Sequence, residues 1–188
     1  MVVMSRPPTK AGFSPPRPSI LVRRAPGRPR QGILQAGPLR LPCALGRSGT
    51  SIFKREGDGA TPVAGMRLLL AYQPAGRIPG LVMALPVRRP RADLGWCDAP
   101  THAAYNRPVR LPFDASYETI LRPDRLYDAV VVLDWNLNAR ARRRGSAIFL
   151  HVAKPGYAPT EGCVAIAARD FRRLAPFLKL GCRLIVCR

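Results

Sequence analysis

The sequence predicts a mostly β fold, a sandwich or partly closed barrel of short strands with one principal helix. Short apolar runs recur along the chain and are separated by turns that contain Gly and Pro, a pattern typical of β domains. The chain has 188 residues and is 47% hydrophobic, which suits one domain with a sizeable core. One longer segment, residues 167–180, has apolar residues at helical spacing and predicts the helix.

The first 18 residues differ in composition from the rest of the chain. They are rich in Pro, Arg and Ser and show no apolar periodicity. Such a composition buries too little apolar surface to fold, so we expect residues 1–18 to be a disordered basic tail. The folded domain is then expected to span residues 19–188.

The N-terminal half of the domain predicts strands joined by tight turns. Residues 20–23 form a short apolar run, and residues 31–35 and 39–45 flank Gly37-Pro38, as in a hairpin. The apolar run 81–87 predicts a further strand.

The C-terminal half contains the strongest strand signal and the helix. Residues 127–133 are β-branched and nearly continuous, which favours a central strand, whereas residues 117–121 predict a short helical turn. The run 147–150 predicts a buried strand with His151 at its end. The predicted helix 167–180 is weakened by Pro176 and stopped by Gly181, and a strand over residues 183–186 follows.

The charge of the chain is strongly positive. It has 31 Lys and Arg against 11 Asp and Glu, a net charge of +20, and no acidic residue precedes Glu56. Such a charge favours polyanionic partners such as nucleic acid, anionic lipid or an acidic wall polymer. The sequence lacks the aromatic-interleaved basic motif of a nucleic-acid module, so we expect no specific nucleic-acid partner.

The cysteines do not indicate a metal site. The five thiols allow one nucleophile and up to two disulfides but require neither. Cys182 and Cys187 would lie on opposite faces of one strand and could not bond to each other. A structural zinc site normally needs two pairs of Cys or His ligands, and no pair in this chain is accompanied by a second matching pair. We therefore expect no metal and no other cofactor.

One cysteine and one histidine in the C-terminal half could form a reactive pair. His151 ends a predicted strand, and a Gly- and Pro-rich loop then leads to Gly162-Cys163. A thiol needs a base to become a nucleophile near neutral pH, and an imidazole at a strand end can supply it. Gly162 would let the backbone approach a reacting carbonyl closely and leave its N–H as an oxyanion donor. The alternative is an apolar strand with an incidental histidine and a buried cysteine.

The segment around this pair consists of IFLH, a loop and TEGCV. This combination resembles the signature of the L,D-transpeptidase catalytic domain, the YkuD domain. This resemblance implies that Cys163 is the nucleophile, that His151 is its base, and that the N–H groups of Gly162 and Cys163 form the oxyanion hole. Three departures concern donor-substrate recognition, and one of them is a gap between His151 and Cys163 that is shorter than usual. Glu161 stands where the family often has His, and Ala165 stands where it usually has Arg.

Two further stretches resemble the same family. The first is KREGDGATP, residues 54–62, whose turns could line a pocket through backbone N–H groups. The second contains WCDAP and YNRPV, which resemble one bacterial branch of the family. We assign Tyr105, Asn106, Arg107 and Thr160 to substrate binding, with the guanidinium of Arg107 as a substitute for the absent Arg. The alternative for WCDAP and YNRPV is a loop pinned by its Trp and Tyr.

The resemblance implies a peptidoglycan L,D-transpeptidase that acts on tetrapeptide stems through a cysteine acyl-enzyme and forms cross-links. It implies a periplasmic or cell-wall location. However, no membrane span or export signal is visible, so a cytoplasmic location is expected if the chain starts at Met1. Two other functions stay open: a Cys/His peptidase or amidase with water as acceptor, and a non-catalytic basic module that binds polyanions.

Overall fold

The computed structural model describes residues 18–188, so the predicted tail 1–18 lies outside the described residues except for Pro18. Short strands dominate the fold, as the sequence predicts. The strands are β1 (Ser19–Ala25), β2 (Arg28–Ala36), β3 (Leu39–Ala44), β4 (Thr50–Ser51), β5 (Thr61–Pro62), β6 (Gly65–Tyr72), β7 (Val87–Arg88), β8 (Leu94–Cys97), β9 (Arg107–Arg110), β10 (Tyr117–Thr119), β11 (Val130–Leu133), β12 (Phe149–Val152), β13 (Val164–Ile166) and β14 (Arg183–Val186).

Eight of these strands form a closed, barrel-like sheet. Their order is β11, β12, β13, β3, β2, β1, β14 and β6, and β6 pairs again with β11 to close the ring. Closure leaves no unpaired edge between these strands. The predicted mostly β fold is therefore confirmed, and the barrel is closed rather than partly closed. The strand β7 adds to β6, and β10, β8 and β9 form a separate three-stranded sheet.

The apolar side chains of the barrel form two clusters. The larger cluster includes Leu34, Leu150 and Leu184, and the buried face of the helix adds Phe171 and Leu174 to it. Burying one such side chain fully contributes about 1.5 to 3 kcal/mol. A smaller cluster, rich in aromatic residues, connects the barrel to the three-stranded sheet; its members include Tyr72, Trp96, Ile120, Tyr127, Phe149 and Cys163.

The helix is shorter than its apolar periodicity predicts. It is α1 (Ala168–Leu174), the one α-helix within residues 18–188, and a 3-10 turn over Ala175–Phe177 follows. Pro176 lies in that turn, where its missing N–H and its ring prevent the α-helical pattern from continuing. Gly181 has φ of +81° but lies beyond the end of both helical segments.

Two other local predictions are wrong. Residues 117–121 were expected as a helical turn, but Tyr117–Thr119 is strand β10, which pairs with β8. Residues 81–87 were expected as a strand, but only Val87 at their end belongs to one. Leu81, Met83 and Leu85 are buried, so the apolar alternation is real; the segment lacks a partner strand along most of its length.

Strand β12 is shifted by two residues from the predicted run 147–150, so that His151 lies inside the strand. In β12, His151 pairs with Ala165 of the parallel strand β13 and with Val130 of β11. Within residues 18–188, no helix is long and apolar enough to cross a membrane.

Candidate active site

A cavity of about 370 Å³ opens where the loops around β12 and β13 meet the three-stranded sheet. Its volume lies in the range of sites for small organic ligands. Both Cys163 and His151 line it, although 12 residues of sequence separate them. They come together because Cys163 directly precedes β13, and β13 lies parallel to the strand that holds His151.

The thiol of Cys163 is held by backbone groups of the neighbouring segment. Its Sγ accepts a hydrogen bond from the N–H of Phe149 at 3.3 Å and donates one to the carbonyl of Ala147 at 3.2 Å. Ala147 has φ of +50°, a left-handed conformation that costs a residue with a side chain about 1 kcal/mol. The two hydrogen bonds of Sγ suit a protonated thiol, which donates its S–H to a carbonyl and accepts an N–H at sulfur.

Two threonine hydroxyls fix the backbone carbonyl of Cys163. Thr160 donates its hydroxyl to this oxygen at 2.7 Å, and Thr61 donates at 3.3 Å. The hydroxyl of Thr61 in turn accepts the N–H of Gly46 at 2.8 Å. Thr160 lines the cavity, but its hydroxyl also stabilises the loop that carries the nucleophile.

Gly162 occupies a conformation that other residues rarely adopt. Its φ is +137°, and a Cβ there would lie 2.9 Å from the carbonyl oxygen of Ala60. Its N–H, expected as an oxyanion donor, donates to the hydroxyl of Thr160 at 3.2 Å in the resting structure. The backbone at Gly162 thus has no room for a side chain. Its N–H is bound to Thr160 and is not free to bind an oxyanion in the resting structure.

The imidazole of His151 is oriented by a backbone carbonyl. Its Nδ1 lies 2.8 Å from the carbonyl oxygen of Val152. Because a carbonyl can only accept, Nδ1 carries the hydrogen and Nε2 is the nitrogen left to act as a base. The Tyr127 ring packs edge-on against the imidazole, with ring centroids 5.2 Å apart.

Burial keeps both members of the pair neutral. Burial lowers the pKa of His151 to about 4, and the hydrogen bond to Val152 opposes this shift. Burial raises the pKa of the Cys163 thiol to about 12; the charge of Glu118 adds to the increase, and the Phe149 N–H opposes it. The resting site therefore holds a thiol and a neutral imidazole, rather than a thiolate–imidazolium pair.

Tyr105 and Asn106 lie next to the cavity with their polar ends bound to other protein groups. Tyr105 donates its hydroxyl to Glu56, which also accepts the hydroxyl of Ser146 at 2.8 Å. The amide of Asn106 is 1% exposed and accepts the N–H of Ala147 at 3.1 Å. These contacts favour the alternative stated above, a pinned loop, over direct substrate binding by these two residues.

Asn106 also holds two tryptophans that are distant in the sequence. Its Oδ1 accepts the indole N–H of Trp96 at 3.0 Å, and its Nδ2 donates to the carbonyl of Trp135 at 3.0 Å. Asn106 itself has φ of +57°, which Asn tolerates better than most residues. Through the N–H of Ala147, this amide supports the carbonyl that binds the thiol of Cys163.

Arg107 is exposed on β9 and does not line the cavity. The cationic side chains that do are Arg122 and Lys154, which the sequence analysis did not select. Lys154 follows His151 by three residues, so its place beside the cavity was readable from the sequence. Arg122 follows the misassigned segment 117–121, which hid its position.

The five cysteines are all free thiols, so the two disulfides that their number allowed do not form. Among residues 18–188, no group of three or more His, Cys, Asp or Glu side chains is arranged to hold a metal ion.

The sequence profile of the L,D-transpeptidase catalytic domain, YkuD, matches residues 32–186. The chain belongs to this family. Members of this cell-wall-associated family act on peptidoglycan. No curated protein matches the sequence.

Solved structures similar to this chain include two mycobacterial L,D-transpeptidases. Mycobacterium tuberculosis L,D-transpeptidase 1 is 10% identical with a TM-score of 0.42; the match covers 92% of this chain and 62% of that one. The Mycobacterium smegmatis L,D-transpeptidase is 13% identical with a TM-score of 0.41, over 90% and 58%. Bdellovibrio bacteriovorus Bd1075 is 16% identical with a TM-score of 0.46, over 90% and 47%. This chain thus spans between 47% and 62% of the length of these chains.

The two substituted positions of the YkuD motif have definite structural places. The side chain of Glu161 is largely exposed and forms an ion pair with Arg47 at 2.7 Å. Ala165 is fully buried in β13, between Ala44 of β3 and His151 of β12. The usual Arg of the family is therefore replaced by a small residue inside the closed sheet.

Proposed function

We propose that the protein is a peptidoglycan L,D-transpeptidase in which Cys163 is the nucleophile and His151 the general base. The observation that carries this proposal is the cavity shared by the thiol and by an imidazole whose Nδ1 is bound to a carbonyl. Nε2 is then the basic nitrogen. Activity in the periplasm or cell wall, where peptidoglycan lies, follows from this function.

The first step transfers one proton and forms one bond. As a stem-peptide carbonyl reaches Cys163, Nε2 of His151 takes the thiol proton and Sγ bonds to the carbonyl carbon. The N–H of Phe149 supports the sulfur as its charge develops. The new oxyanion needs donors, for which the N–H of Cys163 is the first candidate; the N–H of Gly162 must first leave Thr160.

The second step releases an amine and the third consumes one. His151 returns its proton to the leaving amine, terminal D-Ala, as the C–N bond breaks and a thioester remains on Cys163. An amine of a second stem then attacks the thioester, its proton passes through His151 to the sulfur, and a cross-link forms. With water as the acceptor the same thioester would hydrolyse, which is the amidase or peptidase alternative.

Intact-mass spectrometry with a tetrapeptide stem tests the proposal. The wild-type protein should gain a covalent acyl adduct and release D-Ala, whereas Cys163→Ala should do neither. The acceptor is identified by product analysis, because a cross-linked dimer indicates transpeptidation and a tripeptide indicates hydrolysis. A folded wild-type protein that gives no adduct and no product would overturn the assignment.

The non-catalytic alternative is favoured by one observation, the high pKa of the Cys163 thiol. If this pKa describes the working state, alkylation of Cys163 should accelerate about tenfold per pH unit up to roughly pH 10 and not level off near pH 8.5. Mass mapping of iodoacetamide-treated protein would give the rate at each thiol, with Cys187, the most accessible of the five, as an internal control. Acceleration of alkylation at neutral pH by a bound stem peptide would support the enzyme; no alkylation with or without peptide would support a binding module.

A further inference from the structure

Two carboxylates from the three-stranded sheet line the cavity that contains the nucleophile. Glu118 lies in β10 opposite Trp96 of β8, and Asp98 directly follows β8, where its N–H donates to the carbonyl of Ser116 at 3.2 Å. In this antiparallel register Asp98 and Glu118 are diagonal neighbours on one face, with Cβ atoms roughly 7 Å apart. Both line the same cavity as Cys163.

Each of these carboxylates has an oxygen atom that accepts no hydrogen bond within residues 18–188. Asp98 Oδ1 is buried and has no hydrogen-bond partner within residues 18–188. Glu118 accepts hydrogen bonds from Tyr127 and from Arg122, the latter at 3.4 Å, and both end on Oε1. Glu118 Oε2 is the oxygen that can accept directly from a ligand in the cavity, because it is neither paired nor buried. Asp98 Oδ1 has no accessible surface and would accept from the ligand only after its side chain turns toward the cavity.

The charge of the cavity is opposite to that of the molecule. The chain has only 11 acidic residues and a net charge of +20. Four acidic residues line this cavity, against two basic ones, Arg122 and Lys154; they are Glu56, Asp98, Glu118 and Glu161. Arg122 is already paired with Asp124 at 2.6 Å. Glu118 and Glu161 are likewise paired, with Arg122 and Arg47, so the excess of acidic over basic side chains in the cavity is small, although its sign is opposite to that of the whole chain.

An organic ammonium fits these two carboxylates better than a metal ion. Dedicated Ca²⁺ and Zn²⁺ sites take more protein ligands than two carboxylates, and no group of three or more such ligands occurs in the described part of the chain. An ammonium presents three N–H donors and needs only acceptors around it. Burial is the main cause that raises the pKa of Glu118, and the charge of Asp98 adds to it, so a bound cation would relieve a repulsion that the protein leaves in place.

We propose that Asp98 and Glu118 form the acceptor subsite, which binds the ammonium group of the amine that attacks the acyl-enzyme. This inference rests on the proposed function. Glu118 takes one proton from the ammonium, and the neutral amine attacks the thioester. A second amine proton passes through His151 to the departing sulfur, so the products are an amide, the Cys163 thiol and a protonated Glu118 that returns its proton to solvent.

The test separates acylation from acceptor attack. The acyl-enzyme is formed first, and its decay is followed with and without a stem tripeptide whose side-chain amine is free. Asp98→Asn should acylate within about threefold of wild type and need about tenfold more acceptor. Glu118→Gln also removes a charge that acts on the Cys163 thiol, so it is compared by the ratio of aminolysis to hydrolysis of the same acyl-enzyme, which should fall about 100-fold. Hydrolysis by water should persist in both variants, so the product changes from dimer to tripeptide.

Asp114→Asn is the matched control, because it removes an exposed carboxylate that does not line the cavity. It should leave aminolysis unchanged, and Glu118→Asp should restore part of what Glu118→Gln loses. Unchanged acceptor dependence in both Asp98→Asn and Glu118→Gln, with normal acylation, would overturn the subsite while the proposed function stands.

A binding measurement keeps the two proposals separate if no acyl-enzyme forms. Calorimetry on Cys163→Ala would compare the tripeptide with the same peptide acetylated on its side-chain amine. Acetylation should weaken binding about tenfold, and Asp98→Asn in the same background should abolish the difference. Equal affinity for the free and acetylated peptides would overturn the subsite independently of activity. Circular dichroism of each variant establishes that it is folded.

Discussion

At the scale of single residues, burial shifts the pKa values of the Cys163 thiol and the His151 imidazole in opposite directions. Burial raises the pKa of the thiol and lowers that of the imidazole, so neither group is charged near neutral pH. A neutral pair avoids the cost of burying separated charges in the resting site. The charge separation then arises as a substrate carbonyl reaches the sulfur, when backbone donors can stabilise it.

The neutral imidazole makes the stability of the protein depend on pH. His151 has a folded pKa of about 4 against about 6.5 when unfolded, so the unfolded chain binds more protons between these values. The contribution to stability is full above about pH 6.5 and is lost as the pH falls toward about 4, a loss of roughly 3 kcal/mol.

Urea unfolding between about pH 7 and pH 4 measures this loss. Wild type and His151→Gln should lose stability by different amounts over this range, because the amide does not titrate. Parallel pH curves for the two proteins would contradict the low pKa of His151.

Asn106 illustrates why the contacts of a candidate site residue could not be predicted from the sequence. The YNRPV stretch indicates an important loop, but the partners of Asn106 are Trp96, Trp135 and Ala147, which are separated from it by 10 to 41 residues. Nothing in local sequence reveals which buried groups an amide will satisfy. Cys163, His151 and Gly162 could be selected as candidates from the sequence because all three lie in one short segment.

The substitution Asn106→Ala should destabilise the protein by about 3 kcal/mol, because it leaves the Trp96 indole and the Ala147 N–H buried without acceptors. It should also reduce acylation, because the Ala147 carbonyl that binds the thiol loses its support. Thermal unfolding and the acylation rate measure the two effects.

Arg107→Ala is the control for Asn106→Ala, since this neighbour is exposed on β9 and away from the cavity. It should change stability by less than about 0.5 kcal/mol and leave KM for a stem peptide unchanged. A raised KM would restore the prediction that Arg107 binds a substrate carboxylate.

At the scale of elements, the segment between β12 and β13 determines the geometry of the nucleophile. The hydroxyls of Thr61 and Thr160 converge on the Cys163 carbonyl, so strand β5 and the loop fix the same peptide unit from two directions. The sequence predicts this loop correctly, since its Gly and Pro residues exclude regular structure. It could not predict the contribution of β5, which lies 102 residues earlier.

Dependence on distant parts of the chain also explains the two wrong predictions, one of a strand and one of a helical turn. Alternating apolar residues in 81–87 gave the buried face of the segment correctly, but a strand also needs a partner, and pairing is decided by distant chain. Segment 117–121 became a strand because β8 was available to pair with it. The hairpin of β2 and β3, whose partners adjoin in sequence, was predicted correctly.

Gly162→Ala tests how tightly this segment is constrained. A Cβ at Gly162 would meet the Ala60 carbonyl oxygen at 2.9 Å and the backbone has φ of +137°, so we expect a loss of about 3 kcal/mol and of acylation. Gly156→Ala is the matched control in the same loop, with φ of +68° and nothing within 4 Å of the added Cβ. It should cost about 1 kcal/mol, and urea unfolding should rank the variants in this order. Equal losses would mean that the contact with Ala60 is not a constraint.

At the scale of the whole molecule, positive charge opposes the folded state. The chain carries 31 basic residues against 11 acidic ones, so most arginines have no carboxylate to pair with. Several of the acidic residues form ion pairs with nearby arginines. Hydrogen bonds from Arg91 and Arg110 hold the pKa of Asp93 below its usual range, and Arg122 does the same for Asp124. The remaining repulsion is spread over the surface and is long-range.

Added salt should therefore stabilise this protein rather than weaken it. Screening shortens the reach of the repulsion from about 30 Å at 0.01 M salt to about 8 Å at 0.15 M, whereas the few exposed ion pairs lose little because each contributes about 1 kcal/mol or less. We expect Tm to rise by a few degrees over this range when measured by circular dichroism. Sulfate should act at lower concentration than chloride if arginine clusters bind the anion, and sucrose at matched osmolality controls for general solute effects. A fall in Tm with salt would mean that the ion pairs, rather than the net repulsion, dominate the electrostatic free energy of folding.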